Sequence, residues 1–170
     1  IIILKLLIHY TMLRIDIKKS EFPHFIGCWN INNQILCDDI IKFFEDNISI
    51  QTQGVTSSGG VDFKKKKRIN IKITPNDLKN DKFLSLKKYI EEIHKCYLDY
   101  LLQWPFLSSI IKDVDIEPFN IGRYDPGDHF GVTHSERTSQ STLHRLFAFM
   151  TYLNNVEDGG ETNFKHFKIN

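Results

Sequence analysis

The residues in this sequence best suited to chemistry are one imidazole and one carboxylate separated by a single residue, His134-Ser135-Glu136. They close the run 129–136, which is of strand length and follows the turn Asp125-Pro126-Gly127-Asp128. Side chains alternate along a strand, so Phe130, Val132, His134 and Glu136 share one face, and the two apolar residues make it the inward one. An unpartnered carboxylate in an apolar interior costs several kcal/mol or neutralises. A divalent metal bonded to both heads removes that cost. An imidazole and a carboxylate at x and x+2 supply two corners of the facial arrangement that leaves coordination positions open on non-haem Fe(II). The plainer alternative is an ion pair at a strand end.

Other groups carry weaker signals. Lys64 to Arg68 is a five-residue basic run, suited to an acidic substrate or nucleic acid, or simply to a solvated approach to the next strand. The second alternative fits a chain with 22 Lys and Arg against 21 Asp and Glu, which has no global bias toward anions. His129 faces away from His134 by strand parity and suits a polar contact beside the turn. Arg137 and Arg145 suit surface ion pairs, with contact to substrate as the alternative. Gly159 and Gly160 suit turn geometry.

These groups must be positioned by the elements around them. Cys37, Ile40, Ile41 and Phe44 form a helical stripe over 37–47. Phe83, Leu86, Ile90, Ile93, Tyr97 and Leu101 form another over 82–103, which Pro105 ends. The Gly- and Ser-rich stretch 54–60 reads as a mobile loop, and alternation of Ile69, Ile71 and Ile73 gives a strand over 69–73. After Pro105 the runs 116–124, 129–136, 145–154 and 161–167 have strand character. Within them Leu146 to Met150 is apolar on both faces, as for a strand with protein on each side. Two helices followed by consecutive strands predict an α+β fold with helices packed on one face of an antiparallel sheet or barrel.

The chain has 170 residues, 41% hydrophobic and 25% charged, which suits one globular domain and excludes a disordered one. Three scattered cysteines, Cys28, Cys37 and Cys96, exclude a disulfide framework and a zinc knuckle and fit a reducing, cytoplasmic setting. Residues 1–8 are nearly all apolar but too few to span a membrane, and they lack the flanks of a signal peptide. Residues 1–20 read as an N-terminal extension, of which 1–11 precede the first methionine, Met12, and read as sequence upstream of the true start.

Four ordered blocks resemble the catalytic core of the 2-oxoglutarate/Fe(II)-dependent oxygenases, and within these the prolyl 4-hydroxylase-like branch. They are Tyr124-Asp125-Pro126-Gly127-Asp128-His129-Phe130, His134-Ser135-Glu136, Phe149 to Asn154, and Gly159-Gly160-Glu161-Thr162-Asn163-Phe164. The resemblance covers about 116–167 and makes 21–170 the N-terminal part of one such domain. It implies an incomplete double-stranded β-helix, or jelly-roll, core with the N-terminal helices packed on one sheet. It implies hydroxylation of an unactivated C–H bond, with Fe(II) as metal, 2-oxoglutarate as cosubstrate, succinate and CO2 as co-products, and L-ascorbate as reductant. His134 matches the first iron-ligating histidine. Glu136 stands where the family usually has Asp, one methylene longer but still offering oxygen. Tyr124 matches a tyrosine lining the cosubstrate pocket. Tyr152 matches one that hydrogen-bonds the 2-oxoglutarate tail, and by parity it shares a face with Leu146, Ala148 and Met150.

The family also uses a distal histidine and a Lys or Arg for the far carboxylate, both on later strands. About two strands fit between Glu136 and Asn170 at typical lengths of about 5–6 residues. His144 comes too early and His166 too soon, so the third ligand is expected beyond residue 170. The expected partner is a peptide, protein or small-molecule substrate, with no nucleic acid and no membrane. Oligomeric state and substrate identity are not written in the residues. The competing readings are a catalytically inactive jelly-roll binding module and a nucleic-acid binder acting through Lys64 to Arg68.

Overall fold

Asn33 caps the first helix by accepting from Leu36 N at 3.1 Å, so α1 runs Gln34–Asp46 rather than starting at Cys37. Its stripe of Leu36, Cys37, Ile40, Phe43 and Phe44 is buried, and Asn47 closes it by donating to Phe43 O at 2.7 Å. The second stripe becomes α2, Leu84–Gln103, followed by a single turn, α3, Leu107–Ile110. The computed structural model describes residues 12–17, 24–56 and 59–169. The expectations for residues 1–11 and 18–20 of the N-terminal extension and for Ser57-Ser58 of the predicted loop lie outside the described residues.

In chain order the strands are β1 Leu13–Arg14, β2 Trp29–Asn30, β3 Thr52–Gln53, β4 Lys66–Lys67, β5 Ile69–Ile73, β6 Phe119–Arg123 and β7 His129–Phe130. They form a three-stranded antiparallel sheet ordered β3-β5-β6 and two antiparallel pairs, β1-β2 and β4-β7. The fold is therefore mixed α+β with small antiparallel sheets. The predicted alternation over 69–73 is obeyed. Ile71 and Ile73 are fully buried, opposite Ile121 and Phe119 of β6, and pack against Leu36, Ile40, Phe43 and Phe44 of α1 and Leu86 and Tyr89 of α2. This is the larger of two buried clusters among the described residues, and it lies on one face of the sheet; Met12, Ile31, Cys37 and Cys96 form the other. The other face carries Thr52, Arg68, Asn70, Gly122 and Tyr124.

The hairpin β1-β2 is fixed to α2 by Asp99. Its carboxylate accepts from Arg14 Nε at 2.8 Å and Nη2 at 2.5 Å, and from Trp29 Nε1 at 2.7 Å. Burial pushes the Asp99 carboxyl up, but the bonds from Trp29 and Arg14 outweigh it and hold the group below its ordinary value. Among the described residues no helix is long and apolar enough to cross a membrane.

Two sequence expectations are corrected. The run 129–136 is a strand only at His129–Phe130, because β4 offers two partner residues and the ladder ends where Gly131 N donates to Lys65 O at 3.2 Å. Phe130 and Val132 are consequently 37% and 40% exposed, not inward. The runs 145–154 and 161–167 are not strands. Among the described residues no backbone–backbone hydrogen bond engages 146–163, and 165–167 is a single 3-10 turn beside a lone bridge between Phe164 and Ile169. A strand exists only when a neighbour satisfies its N–H and C=O groups. The side-chain alternation survives. Phe147 meets Tyr97 and Tyr100, Phe149 meets Tyr89 and Phe119, and Thr151 meets Tyr89, while Leu146, Met150 and Tyr152 are exposed on the other side.

Candidate metal-binding pair and its surroundings

The turn Asp125-Pro126-Gly127-Asp128 returns the chain from β6 to β7, with Gly127 at φ +84 and Asp128 N donating to Asp125 O at 2.8 Å. Asp128 is also salt-bridged to Lys67 of β4 at 2.7 Å. The Lys67 hydrogen bond holds its carboxyl below the usual range. That turn delivers Phe130, whose ring stacks on His134 at 4.5 Å between centroids and lies under Lys66 Nζ at 4.7 Å.

His134 and Glu136 do meet: Nε2 and Oε1 are 3.3 Å apart. They meet at the surface, with side chains 45% and 52% exposed, rather than inside a barrel. His134 Nδ1 lies 3.0 Å from Val132 O. A carbonyl oxygen only accepts, so Nδ1 carries the proton and donates. In the neutral ring Nε2 then presents a lone pair toward a carboxylate oxygen that also presents lone pairs. Two acceptors face to face require positive charge between them, supplied either by a proton on Nε2 or by a metal ion. The second oxygen of Glu136 is held from outside, 3.4 Å from Arg145 Nη1. Arg145 is in turn anchored by Nε to Glu117 Oε2 at 2.7 Å, and His144 bonds the other Glu117 oxygen. These bonds from His144 and Arg145 keep the Glu117 carboxyl below its ordinary value.

Adjacent nitrogen and oxygen donors on one divalent ion, each about 2.1 Å away, sit about 3.0–3.4 Å apart. The 3.3 Å separation fits that bite. A ligating histidine that donates its other N–H to a backbone carbonyl is the usual outer-shell arrangement, and His134 has it. Among the described residues no three His, Cys, Asp or Glu side chains gather as a metal-holding group. Two donors and no third are thus brought together among the described residues.

The other sequence-named residues stand elsewhere. Tyr124 accepts from Arg68 Nη1 at 3.0 Å, and the guanidinium lies over its ring at 5.6 Å. Tyr152 OH donates to Gly160 O at 2.8 Å and lies 2.7 Å from Thr162 Oγ1, so it closes the turn through Gly159 and Gly160, both at φ +80. His129 Nε2 donates to Lys64 O at 3.1 Å, the expected polar contact beside the turn. Within the basic run, Lys65 pairs with Asp62 at 3.3 Å and Lys66 Nζ donates to Val55 O at 3.0 Å. Burial and neighbouring Arg68 pull the Lys66 ammonium below its ordinary value, against an opposing pull from Glu136. Lys66 and Glu117 are the neighbours that sequence reading did not connect to the pair. Nothing within a few residues of either marks a partner so distant in the chain. A concavity of about 750 Å³ between α2 and the segment 108–115 is lined by none of these residues. Comparison of the chain with family models, with curated proteins and with solved structures found no match.

Proposed function

We propose that this chain is the N-terminal, metal-gripping part of an Fe(II)- and 2-oxoglutarate-dependent dioxygenase of the prolyl 4-hydroxylase-like kind. Such an enzyme hydroxylates an unactivated C–H bond and releases succinate and CO2. The observation that carries the reading is the orientation of one side-chain pair. His134 commits its Nδ1 proton to Val132 O, and its Nε2 faces Glu136 Oε1 at 3.3 Å, a gap matched to one divalent cation. Bound Fe(II) would supply redox chemistry toward O2 and a chelation site for the 2-oxo acid. The chain's own residues do the positioning. Val132 O fixes the imidazole tautomer, and Arg145 holds Glu136 Oε2 so that Oε1 stays turned to His134. Tyr124, paired with Arg68, presents a phenol beside a guanidinium, a combination suited to a carboxylate of the cosubstrate. Tyr152 would have to leave Gly160 O to serve 2-oxoglutarate.

The jelly-roll reading draws support from the run 145–153. From Leu146 to Leu153 its backbone is without backbone partners among the described residues, one face is packed on α2, and Leu146, Met150 and Tyr152 are exposed on the other. Such a segment suits a strand whose neighbours come from elsewhere. The reading requires a third donor and a cation for the far carboxylate, both C-terminal to Asn170. The test uses a chain that extends past that point: Fe(II)-dependent conversion of 2-oxoglutarate to succinate, lost in His134→Ala. A metal-free binding module, in which His134 and Glu136 are only an ion pair beside Arg145, releases no succinate. Succinate release by the 170-residue chain alone would overturn the two-donor assignment.

A further inference from the structure

The concavity between α2 and the segment that follows α3 holds about 750 Å³ and shares no residue with the metal pair. Its α2 side is Tyr97, Leu98 and Leu101, neighbours on one face of that helix, and the facing segment adds Ile111 and Val114. Leu98 and Val114 are exposed. The facing segment also has its backbone free. α3 closes where Ile111 N donates to Leu107 O at 2.8 Å, and 112–118 then runs to β6 with neither helix, turn nor bend. Among the described residues no backbone–backbone hydrogen bond engages 112–118. A row of solvated N–H and C=O groups beside a groove is a template for one more extended strand. Asp113 and Asp115 line the same groove. Both are exposed, and neither has a hydrogen bond or ion pair to a described residue. Lys112 is the ammonium on that lining, so two carboxylates against one cation leave it net negative. The two carboxylates belong to residues about 6.6 Å apart along an unbent chain.

We propose that this groove binds an extended basic peptide segment, one with Lys or Arg at alternate positions. Two independent features select it. The free backbone of 112–118 pairs with a peptide backbone laid beside it. Lys and Arg carry an aliphatic stem and a charged head, so their stems cover Tyr97, Leu98 and Leu101 while their heads reach Asp113 and Asp115. Alternate side chains of a strand repeat at the spacing of those two carboxylates. An acidic segment meets two like charges and one ammonium. A small polycation answers the carboxylates but not the backbone. The groove ends near the supports of the metal pair. Glu117, two residues beyond Asp115, accepts from Arg145 Nε at 2.7 Å, and Arg145 holds Glu136. Resting on the hydroxylase reading, the basic segment belongs to the substrate and flanks the residue to be oxidised. The docking itself does not depend on that reading.

The test is metal-free, so its failure is distinguishable from failure of the metal reading. Backbone amide resonances of the 170-residue protein are followed by NMR. The probes are acetyl-Arg-Ala-Arg-Ala-Arg-amide, the same peptide with Glu in place of Arg, and spermidine. The basic peptide is expected to shift Leu98 and residues 112–116 saturably, and raising salt from about 50 to about 300 mM should weaken the binding. The double variant Asp113→Asn with Asp115→Asn, both at exposed positions, is expected to bind about threefold to tenfold more weakly, the equivalent of two exposed ion pairs. Circular dichroism checks that the variant is folded. No shift with the basic peptide, a comparable response to the acidic peptide or to spermidine, or binding undiminished in the folded double variant overturns the proposal. So do groove shifts that grow with protein concentration in the absence of peptide, which assign this face to a second copy of the chain.

Discussion

Removing one hydroxyl, in Tyr89→Phe, tests how the run 145–153 is attached to the helical layer. Tyr89 is 7% exposed, and its ring packs against Phe119 and Phe149, contacts that phenylalanine keeps. Its OH donates to Thr151 Oγ1 at 2.7 Å. Losing that bond should cost about 1 kcal/mol near neutral pH. Burial pushes the Tyr89 phenol up to about 12. A group whose value is raised by folding contributes stability that is complete below its unfolded value, about 10, and is lost as pH rises through its folded value. The wild type should therefore lose about 1.4 kcal/mol from this residue by pH 11, and nearly 3 kcal/mol once pH passes 12. Tyr89→Phe has no such loss. The stability difference between the two should fall from about +1 kcal/mol at pH 8, pass through zero between pH 10 and 11, and reverse. Urea unfolding followed by Trp29 and Trp104 fluorescence at pH 8, 9, 10 and 11 measures it. Other tyrosines, lysines and cysteines titrate equally in both proteins and cancel. A difference that stays constant across that range would refute the burial that raises the phenol, and a difference near zero at pH 8 would refute the hydrogen bond.

Further predictions concern the anchor, the thiols and the carboxylate network. Asp99→Ala leaves Arg14 and Trp29 Nε1 without their acceptor and should lower unfolding stability by about 2–3 kcal/mol, with Asp99→Asn costing less because it keeps an acceptor. A loss of Asp99→Ala stability below about 0.5 kcal/mol in urea would remove the anchor from consideration. Of the three cysteines only Cys28 should react quickly with a thiol reagent. Cys37 and Cys96 are buried, and burial pushes the Cys96 thiol up to about 11. Two slow thiols appearing at the global unfolding rate would agree, and three fast ones would not. Glu117 and Asp128 have carboxyls lowered by their cationic partners, so the stability they contribute is present above the ordinary carboxylate range and disappears as pH falls through their lowered values. Glu117→Gln should therefore flatten the acid limb of the stability curve, and an unchanged limb would contradict the pairing.

The helical layer and its central strand are legible in the sequence because each is specified by its own residues. The stripes of α1 and α2 and the alternation of Ile69, Ile71 and Ile73 state which face is buried without reference to a partner. The two-residue strands β1, β2, β3, β4 and β7 are too short to show a period. The runs at 131–136 and 145–154 show the opposite failure: a clear period without a ladder, since pairing depends on a second strand that propensity cannot supply. At the candidate site the HxE spacing correctly brings the two heads together, because that needs only one local backbone stretch. Burial differs from the expectation because it depends on a partner strand, and β4 pairs with β7 only at His129 and Phe130. Asp99 with Arg14, and Glu117 with Arg145, are separated by many residues and leave no local trace.

The central claim is that His134 and Glu136 hold one divalent cation between them. Manganese(II), a paramagnetic probe that does not turn over, can be titrated into the 170-residue protein while imidazole resonances are recorded. Two donors predict weak, saturable binding in which His134 broadens first, with the effect absent from His134→Ala and from Glu136→Ala. Broadening spread evenly over the acidic surface, or unchanged by either substitution, would contradict the claim.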